Sequence, residues 1–194
     1  PWEVSWGLRD IDEAIGTGVG GRLVVVGARP SNGKTTWLFS WLNSLMPTMY
    51  DAPLRILCFW TERSRELSYL TWAAMRAGIG LDAVVKGQWG HLPEGAEATI
   101  LADVRRLEYL DDLDSLAWIR FAELERPTVA ALVEAIETRK PNVLIFDYLQ
   151  RIKADGRQSK FDAIGEAATV LQQLAVKHKA LVVVGSQLKR RGDG

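Results

Sequence analysis

Short apolar runs alternate along the chain with longer segments in which apolar residues recur at helical spacing. The short runs are rich in β-branched and aromatic residues and have the length of strands; they fall at residues 23–26, 54–60, 117–122, 142–147 and 180–187. The segments between them have the spacing of amphipathic helices, at residues 37–46, 64–77, 96–110, 127–140 and 161–178. Because strands that are apolar along their whole length are buried on both faces, the pattern predicts an α/β fold. Its sheet is expected to be mostly parallel, with helices on both faces.

The ends of these elements give further expectations. Thr61 follows the second strand and is a suitable N-cap for the next helix. Phe161 opens the apolar face of the last helix, which continues through residues 164, 168, 171, 175 and 178. Residues 1–21 are expected to form a lead-in loop and a short helix, and all 194 residues a single domain.

The loop between the first strand and the first long helix has the features of a phosphate-binding P-loop. Gly33 lets the backbone approach a polyphosphate, Lys34 can reach the β- and γ-phosphates, and the Thr35 hydroxyl can bind Mg²⁺. The usual pattern begins with glycine, whereas Ala28 stands there, so an ordinary strand-to-helix turn is the alternative. The candidate nucleotide-binding residues are Ala28, Arg29, Pro30, Ser31, Asn32, Gly33, Lys34, Thr35 and Thr36.

Polar residues stand at the ends of three other predicted strands, where parallel sheets bind their ligands. Asp147 ends an apolar strand and is a candidate Mg²⁺ ligand together with Thr35; the alternative is a carboxylate that caps a turn. Glu62 can orient and deprotonate an attacking water, or can be an acid in the first turn of a helix. Gln187 can contact the γ-phosphate, or can be an ordinary polar strand terminus.

Two basic stretches follow sheet strands on the predicted ligand side and are candidate nucleic-acid contacts. Their alternative is solvated surface, and since neither contains an aromatic residue they favour phosphate contact without base recognition. With 24 basic and 24 acidic residues, the net charge is zero, so a nucleic-acid surface has to be local. The candidate residues are Arg151, Lys153, Arg157, Lys160, Lys189, Arg190 and Arg191.

The remaining composition excludes several classes of protein. The single cysteine, Cys58, cannot form an internal disulfide and fits a reducing compartment. No apolar stretch is long enough to span a membrane and no signal peptide is visible, so we expect no membrane partner and a cytoplasmic location. His91 and His178 are far apart, and there is no zinc pattern.

Four motifs in order resemble the C-terminal ATPase domain of DnaB-family replicative helicases. Residues 28–35 read ARPSNGKT, similar to the family's A-R-P-S-x-G-K-T, and residues 59–62 with Glu66 and Leu67 are similar to its F-S-L-E-M segment. Residues 147–150 match its D-Y-L-Q, and residues 186–188 its S-Q-L. The resemblance implies a RecA-like fold that binds ATP and Mg²⁺, with Glu62 as catalytic base and Gln187 at the γ-phosphate.

The same resemblance implies ring-shaped homo-oligomers, typically hexamers, that hold single-stranded DNA in a central channel against the two basic stretches. A primase or a loader is a possible partner. Thr61 and Arg63 replace apolar neighbours of the family's glutamate. The chain ends before the position of the family's last strands and arginine finger, and on that ground we expect weak hydrolysis by this chain alone.

Three functions are compatible with these residues. The first is the ATP-driven motor domain of a 5′–3′ replicative DNA helicase, with Lys34 stabilising the transferring charge. The second is a RecA-like ATPase in recombination or in a clock- or signalling-type ring. The third is a nucleotide-gated assembly or loader module with little turnover of its own. The D-Y-L-Q and A-R-P-S motifs favour the first.

Overall fold

A computed structural model describes residues 2–45, 54–87, 119–154 and 158–188, together with residues 95, 97, 98, 100–102 and 105. The helix predicted over residues 96–110 therefore lies mostly outside the described residues. The elements with defined bounds are β1 (Glu3–Val4), α1 (Arg9–Ile15), β2 (Gly18–Val19), β3 (Arg22–Ala28), α2 (Lys34–Ser44), β4 (Ile56–Trp60), α3 (Arg65–Arg76), α4 (Leu81–Val85), β5 (Ile119–Ala122), α5 (Val129–Arg139), β6 (Val143–Asp147), the 3₁₀ turn η1 (Leu149–Arg151), α6 (Lys160–His178) and β7 (Leu181–Gln187).

Five of these strands form one parallel sheet in the order β3-β7-β6-β4-β5. The register pairs Ala28 with Gln187 and Trp60 with Asp147. Since parallel strands all end at the same edge, this register brings the carboxyl ends of β3, β4, β6 and β7 together. The strands β1 and β2 form a separate antiparallel pair that the apolar pattern did not predict.

Each face of the sheet is covered by a pair of helices, as predicted. Along β4, Ile56 and Cys58 face a core that includes α2 and α3, whereas Leu57 and Phe59 face a core that includes α5 and α6. The alternation follows from the two-residue period of a strand, so a continuous apolar run supplies both cores at once. The α/β prediction with helices on both faces is confirmed.

The first strand departs from the prediction of a fully buried strand. Among the described residues β3 pairs only with β7, so it lies at an edge of the sheet, and Val25 is 53% exposed. An edge strand and a central strand can have the same apolar sequence pattern. Which strand is covered by neighbours depends on the order of the strands in the sheet.

Two predictions about helix ends are also wrong. The N-cap of α3 is Ser64, whose hydroxyl accepts a hydrogen bond from the Leu67 N–H, and Thr61 instead contacts β6. Phe161 is 85% exposed, so the buried face of α6 begins later than predicted, although Leu171 and Ala175 of the predicted face are buried. That face consists of Ala163, Ala167, Leu171, Leu174 and Ala175.

Candidate functional site

Two of the three polar residues predicted at strand ends, Glu62 and Gln187, line one cavity of about 390 Å³ at the carboxyl edge of the sheet. It lies between the β3–α2 loop and the ends of β4, β6 and β7. The cavity is lined by Ala28, Arg29, Pro30, Ser31, Gly33, Lys34, Thr35, Thr36, Glu62, Tyr148 and Gln187. Of the predicted loop residues only Asn32 is not among them, and its N–H donates to the carbonyl oxygen of Arg29 at 3.2 Å.

The backbone of the β3–α2 loop is shaped to hold an anion. Ser31 has φ of 63° and Gly33 has φ of 77°, so the backbone adopts the left-handed conformation at two positions before α2 begins. Such backbone reversals turn consecutive N–H groups toward one concavity. Gly33 is also the residue before the first helical turn, and the free N–H groups of that turn add a positive dipole end. The loop thus offers a polyphosphate several donors and little bulk.

Lys34 and Thr35 both donate to the carboxylate of Asp147. The Lys34 ammonium contacts Oδ1, and the Thr35 hydroxyl donates to Oδ2 at 2.6 Å. Asp147 is only 5% exposed, and a carboxylate so buried is tolerated because both oxygens are paired. Lys34 and Thr35 are 113 and 112 positions from Asp147 in the sequence. They meet because the carboxyl ends of parallel strands lie at the same edge of the sheet.

The residues around Asp147 fit a bound Mg²⁺. A hydroxyl and a carboxylate are hard oxygen ligands, and Mg²⁺ in nucleotide sites takes one or two protein ligands and completes its shell with phosphates and water. Within the described ranges no group of three or more histidine, cysteine or acidic residues forms a dedicated metal site. If Mg²⁺ is bound here, Thr35 and Asp147 would hold it together with the phosphates of a nucleotide.

Gly185 is a site residue that the sequence reasoning missed. A Cβ atom at this position in β7 would lie 2.3 Å from Oδ1 of Asp147 and 2.9 Å from Nζ of Lys34. The absence of a side chain is what lets these two groups meet beside β7. The available signal was a glycine directly after the apolar run at residues 181–184 and within the predicted strand, since glycine in a strand often marks the close approach of another group.

Glu62 is held at the rim of the cavity by the turn that follows β4. The N–H and the hydroxyl of Thr61 donate to the carbonyl oxygen of Asp147 at 2.9 and 2.8 Å, and this fixes the turn against β6. Oε1 of Glu62 accepts a hydrogen bond from Nη2 of Arg151 at 3.1 Å. Burial lowers the pKa of Lys34 below its ordinary value, and the charge of Glu62 opposes that effect.

Tyr148 and Gln150 complete the site from the segment after β6, although the sequence reasoning gave neither a role. The Lys34 ammonium lies 4.9 Å from the centroid of the Tyr148 ring. Burial raises the pKa of Tyr148, and the charge of Glu62 adds to this rise. The side chain of Gln150 accepts from the Gln187 N–H at 3.0 Å and donates to the Ser186 hydroxyl at 3.0 Å, so it fixes the end of β7.

The described basic residues lie beside this site. A neighbouring hollow of about 490 Å³, called the basic hollow below, is lined by Arg151, Lys153 and Lys160 together with Gln150 and one acid, Glu125. The other predicted contacts, Arg157, Lys189, Arg190 and Arg191, lie outside the described residues. Among the helices that are described, none has both the length and the apolar character needed to cross a membrane.

Comparisons with known proteins identify a family through its sequence model and a fold through a solved structure. A family model described as the DnaB-like helicase C terminal domain matches residues 3–194. A solved structure, "The Structure Of A DnaB-Like Replicative Helicase And Its Interactions With Primase", is similar with a TM-score of 0.78 at 18% sequence identity. The similarity covers 98% of this chain and 45% of that chain, so this chain spans less than half of the helicase it matches. No curated protein is similar enough in sequence to count as a match.

Proposed function

The chain belongs to the family of DnaB-like helicase C-terminal domains, and we propose on that basis that it is the ATP-hydrolysing motor of a replicative DNA helicase. Residues 1–194 then act as one RecA-like ATPase domain, and copies of it assemble into a ring, typically a hexamer, that translocates on single-stranded DNA. A primase or a loader is the kind of replication partner that such a ring takes.

The observation that carries this proposal is the convergence of Lys34 and Thr35 on the buried carboxylate of Asp147 beneath the β3–α2 loop. A nucleoside triphosphate in the loop draws the Lys34 ammonium toward its β- and γ-phosphates, while Thr35 and Asp147 remain as oxygen ligands for Mg²⁺. When bound, the ion supplies charge neutralisation on the phosphates. Residues 28–36 provide the backbone that surrounds the phosphates.

Glu62 is proposed as the general base. Its carboxylate is at the rim of the same cavity as Lys34, and it can orient and deprotonate a water beside the γ-phosphate. Gln187 lines the cavity from β7, where an uncharged amide can contact the γ-phosphate. The side chain of Gln150 accepts a hydrogen bond from the Gln187 N–H, and Gln150 also lines the basic hollow. A movement of Gln187 at the γ-phosphate is therefore transmitted through Gln150 to the proposed DNA contacts.

The test is ATP turnover with and without single-stranded DNA, measured on the wild type, Lys34→Ala and Glu62→Gln. We expect DNA to stimulate the wild type, Lys34→Ala to lose ATP binding, and Glu62→Gln to bind ATP with turnover about 10²- to 10⁴-fold lower. Glu123→Gln is the matched control, because Glu123 is an exposed acid close to Glu62 that accepts from the Arg65 N–H, and its turnover should stay near that of the wild type. ATP binding with negligible turnover under both conditions would instead favour a nucleotide-gated assembly module.

A further inference from the structure

The proposed catalytic base is paired with a residue of the proposed DNA surface. Arg151 donates from Nη2 to Oε1 of Glu62 at 3.1 Å, and the two side chains are 49% and 53% exposed. A carboxylate oxygen that accepts a charge-assisted hydrogen bond has a lone pair occupied, and that lone pair is not free to take a proton from water. The ion pair therefore restrains the side chain that hydrolysis requires.

Arg151 is shared between two neighbouring hollows. It lines one of about 460 Å³ with Glu62, and it lines the hollow of about 490 Å³ that contains Lys153 and Lys160. A phosphodiester held by the two lysines lies within reach of the same guanidinium. Arginine binds phosphate through a planar fork of donors, so a phosphate is a strong competitor for a carboxylate that holds it by one oxygen.

The strength of the pair decides whether such a competition can occur. Ion pairs between half-exposed side chains shift an equilibrium by no more than about fivefold, because solvent screens the charges and both side chains lose rotamer freedom. A phosphate with two further cations beside it can displace so weak a partner. The guanidinium of Arg151 also lies 6.0 Å from the centroid of the Tyr148 ring, close enough for a weak cation–π contact.

We propose that Arg151 is a positioning residue that holds Glu62 in an ion pair until a phosphate of single-stranded DNA takes the guanidinium and releases the carboxylate. This inference rests on the proposed function, since it gives Glu62 the role of base and the basic hollow the role of DNA site. It predicts a reciprocal relation: whatever removes Glu62 from Arg151 makes Arg151 available to DNA, and DNA makes Glu62 available for hydrolysis.

The relation is measurable in DNA binding alone, without hydrolysis. The affinity for a fluorescently labelled oligothymidylate is determined in the absence of nucleotide for the wild type, Glu62→Gln, Arg151→Gln and the double variant. We expect Glu62→Gln to strengthen binding by about two- to fivefold more in the wild-type background than in the Arg151→Gln background. A gain in affinity that depends on Arg151 cannot come from a general loss of structure.

Two matched variants separate the ion pair from general electrostatics. Glu123→Gln removes a nearby exposed carboxylate, so its effect on DNA affinity should be the same in both backgrounds. Arg151→Lys keeps the charge but loses the planar fork of donors, so Glu62→Gln should strengthen DNA binding less in the Arg151→Lys background than in the wild type. Equal effects of Glu62→Gln in the two backgrounds, or no DNA binding by the wild type, would overturn the inference.

Turnover measured beside the binding distinguishes this inference from the proposed function. Arg151→Gln is expected to raise turnover in the absence of DNA by up to about fivefold and to lower the stimulation by DNA. If the wild type binds DNA with the expected coupling but hydrolyses no ATP, the motor proposal fails while the competition for Arg151 stands. If DNA stimulates turnover but the binding effects are independent, the motor proposal stands and the role of Arg151 is wrong.

Discussion

Gly185 decides how closely Lys34 and Asp147 approach each other. A methyl group at this position would lie 2.3 Å from Oδ1 of Asp147. This is much shorter than a van der Waals contact between carbon and oxygen, so the carboxylate has to move. We expect Gly185→Ala to lower the turnover number about 10²-fold, since a displacement of about 1 Å at a reacting centre has that effect. Steady-state ATP hydrolysis is the measurement.

A second glycine provides the control. Gly165 lies in α6 with no atom within 4 Å of a Cβ placed there. Gly165→Ala should leave turnover unchanged and raise the free energy of unfolding by up to about 1 kcal/mol, because alanine is the better helix former. Turnover of Gly185→Ala within about twofold of the wild type would mean that the contact between Lys34 and Asp147 contributes little to the chemistry.

At the scale of elements, the periodicity of the sequence predicts which segments form strands and helices but not what surrounds them. The predicted strand over residues 180–187 is observed as Leu181–Gln187, because apolar β-branched side chains pack well on the pleated, buried surface of a sheet. Phe161 has helical spacing to Ile164 and Ala168, yet it is exposed in the first turn of α6. The spacing of apolar residues predicts which side of a helix is apolar. The position of the sheet beneath the helix decides which turns of that side are buried.

The same distinction holds for the candidate site. The strand ends could be predicted to meet, because parallel topology brings every carboxyl end to one edge. The clash that excludes a side chain at Gly185 depends on the register between β6 and β7, which no short motif contains. The link from Gln150 to Gln187 likewise joins residues 37 positions apart. Contacts of this kind become visible only when the sheet is assembled.

The contact between α5 and α6 gives this fold a dependence on pH. Glu137 of α5 accepts a hydrogen bond from Lys177 of α6 at 2.5 Å, and Nε2 of His178 lies 3.2 Å from its other oxygen. Lys177, and after it His178, holds the pKa of Glu137 below its ordinary value of 4.5. Since the folded-state pKa is depressed, this carboxylate contributes stability above its unfolded pKa and loses that contribution as the pH falls through the folded pKa.

We therefore expect Glu137→Gln to lower the free energy of unfolding near neutral pH and to have a smaller effect at about pH 3, because the stabilising contribution of the wild-type carboxylate is lost as the pH falls through its folded-state pKa. Urea unfolding of both proteins at the two pH values measures this difference. Lys177→Gln should reproduce the loss near neutral pH, because it removes the principal partner. A difference of equal size at both pH values would show that the charge of Glu137 is not its cause.

At the scale of the whole molecule, the 24 basic and 24 acidic residues give a net charge of zero, so the net charge supplies no attraction for DNA. The salt dependence of binding then reports the local basic hollow and not the net charge. Binding to a single strand weakens with salt by a slope of about −0.7 for each phosphate that is neutralised, so Arg151, Lys153 and Lys160 together contribute about −2. Lys153→Gln and Lys160→Gln should each reduce the slope by about 0.7.

The long helix α6 supplies a control for these two variants. Lys160 begins α6, and Lys177 lies near its other end, about 26 Å away along the helix axis. This separation exceeds the screening length of about 8 Å at physiological salt, so Lys177→Gln should leave the slope unchanged although it removes the same charge. If all three variants reduce the salt slope equally, DNA binding depends on the total charge of the protein. If only Lys153→Gln and Lys160→Gln reduce it, the single strand binds in the basic hollow.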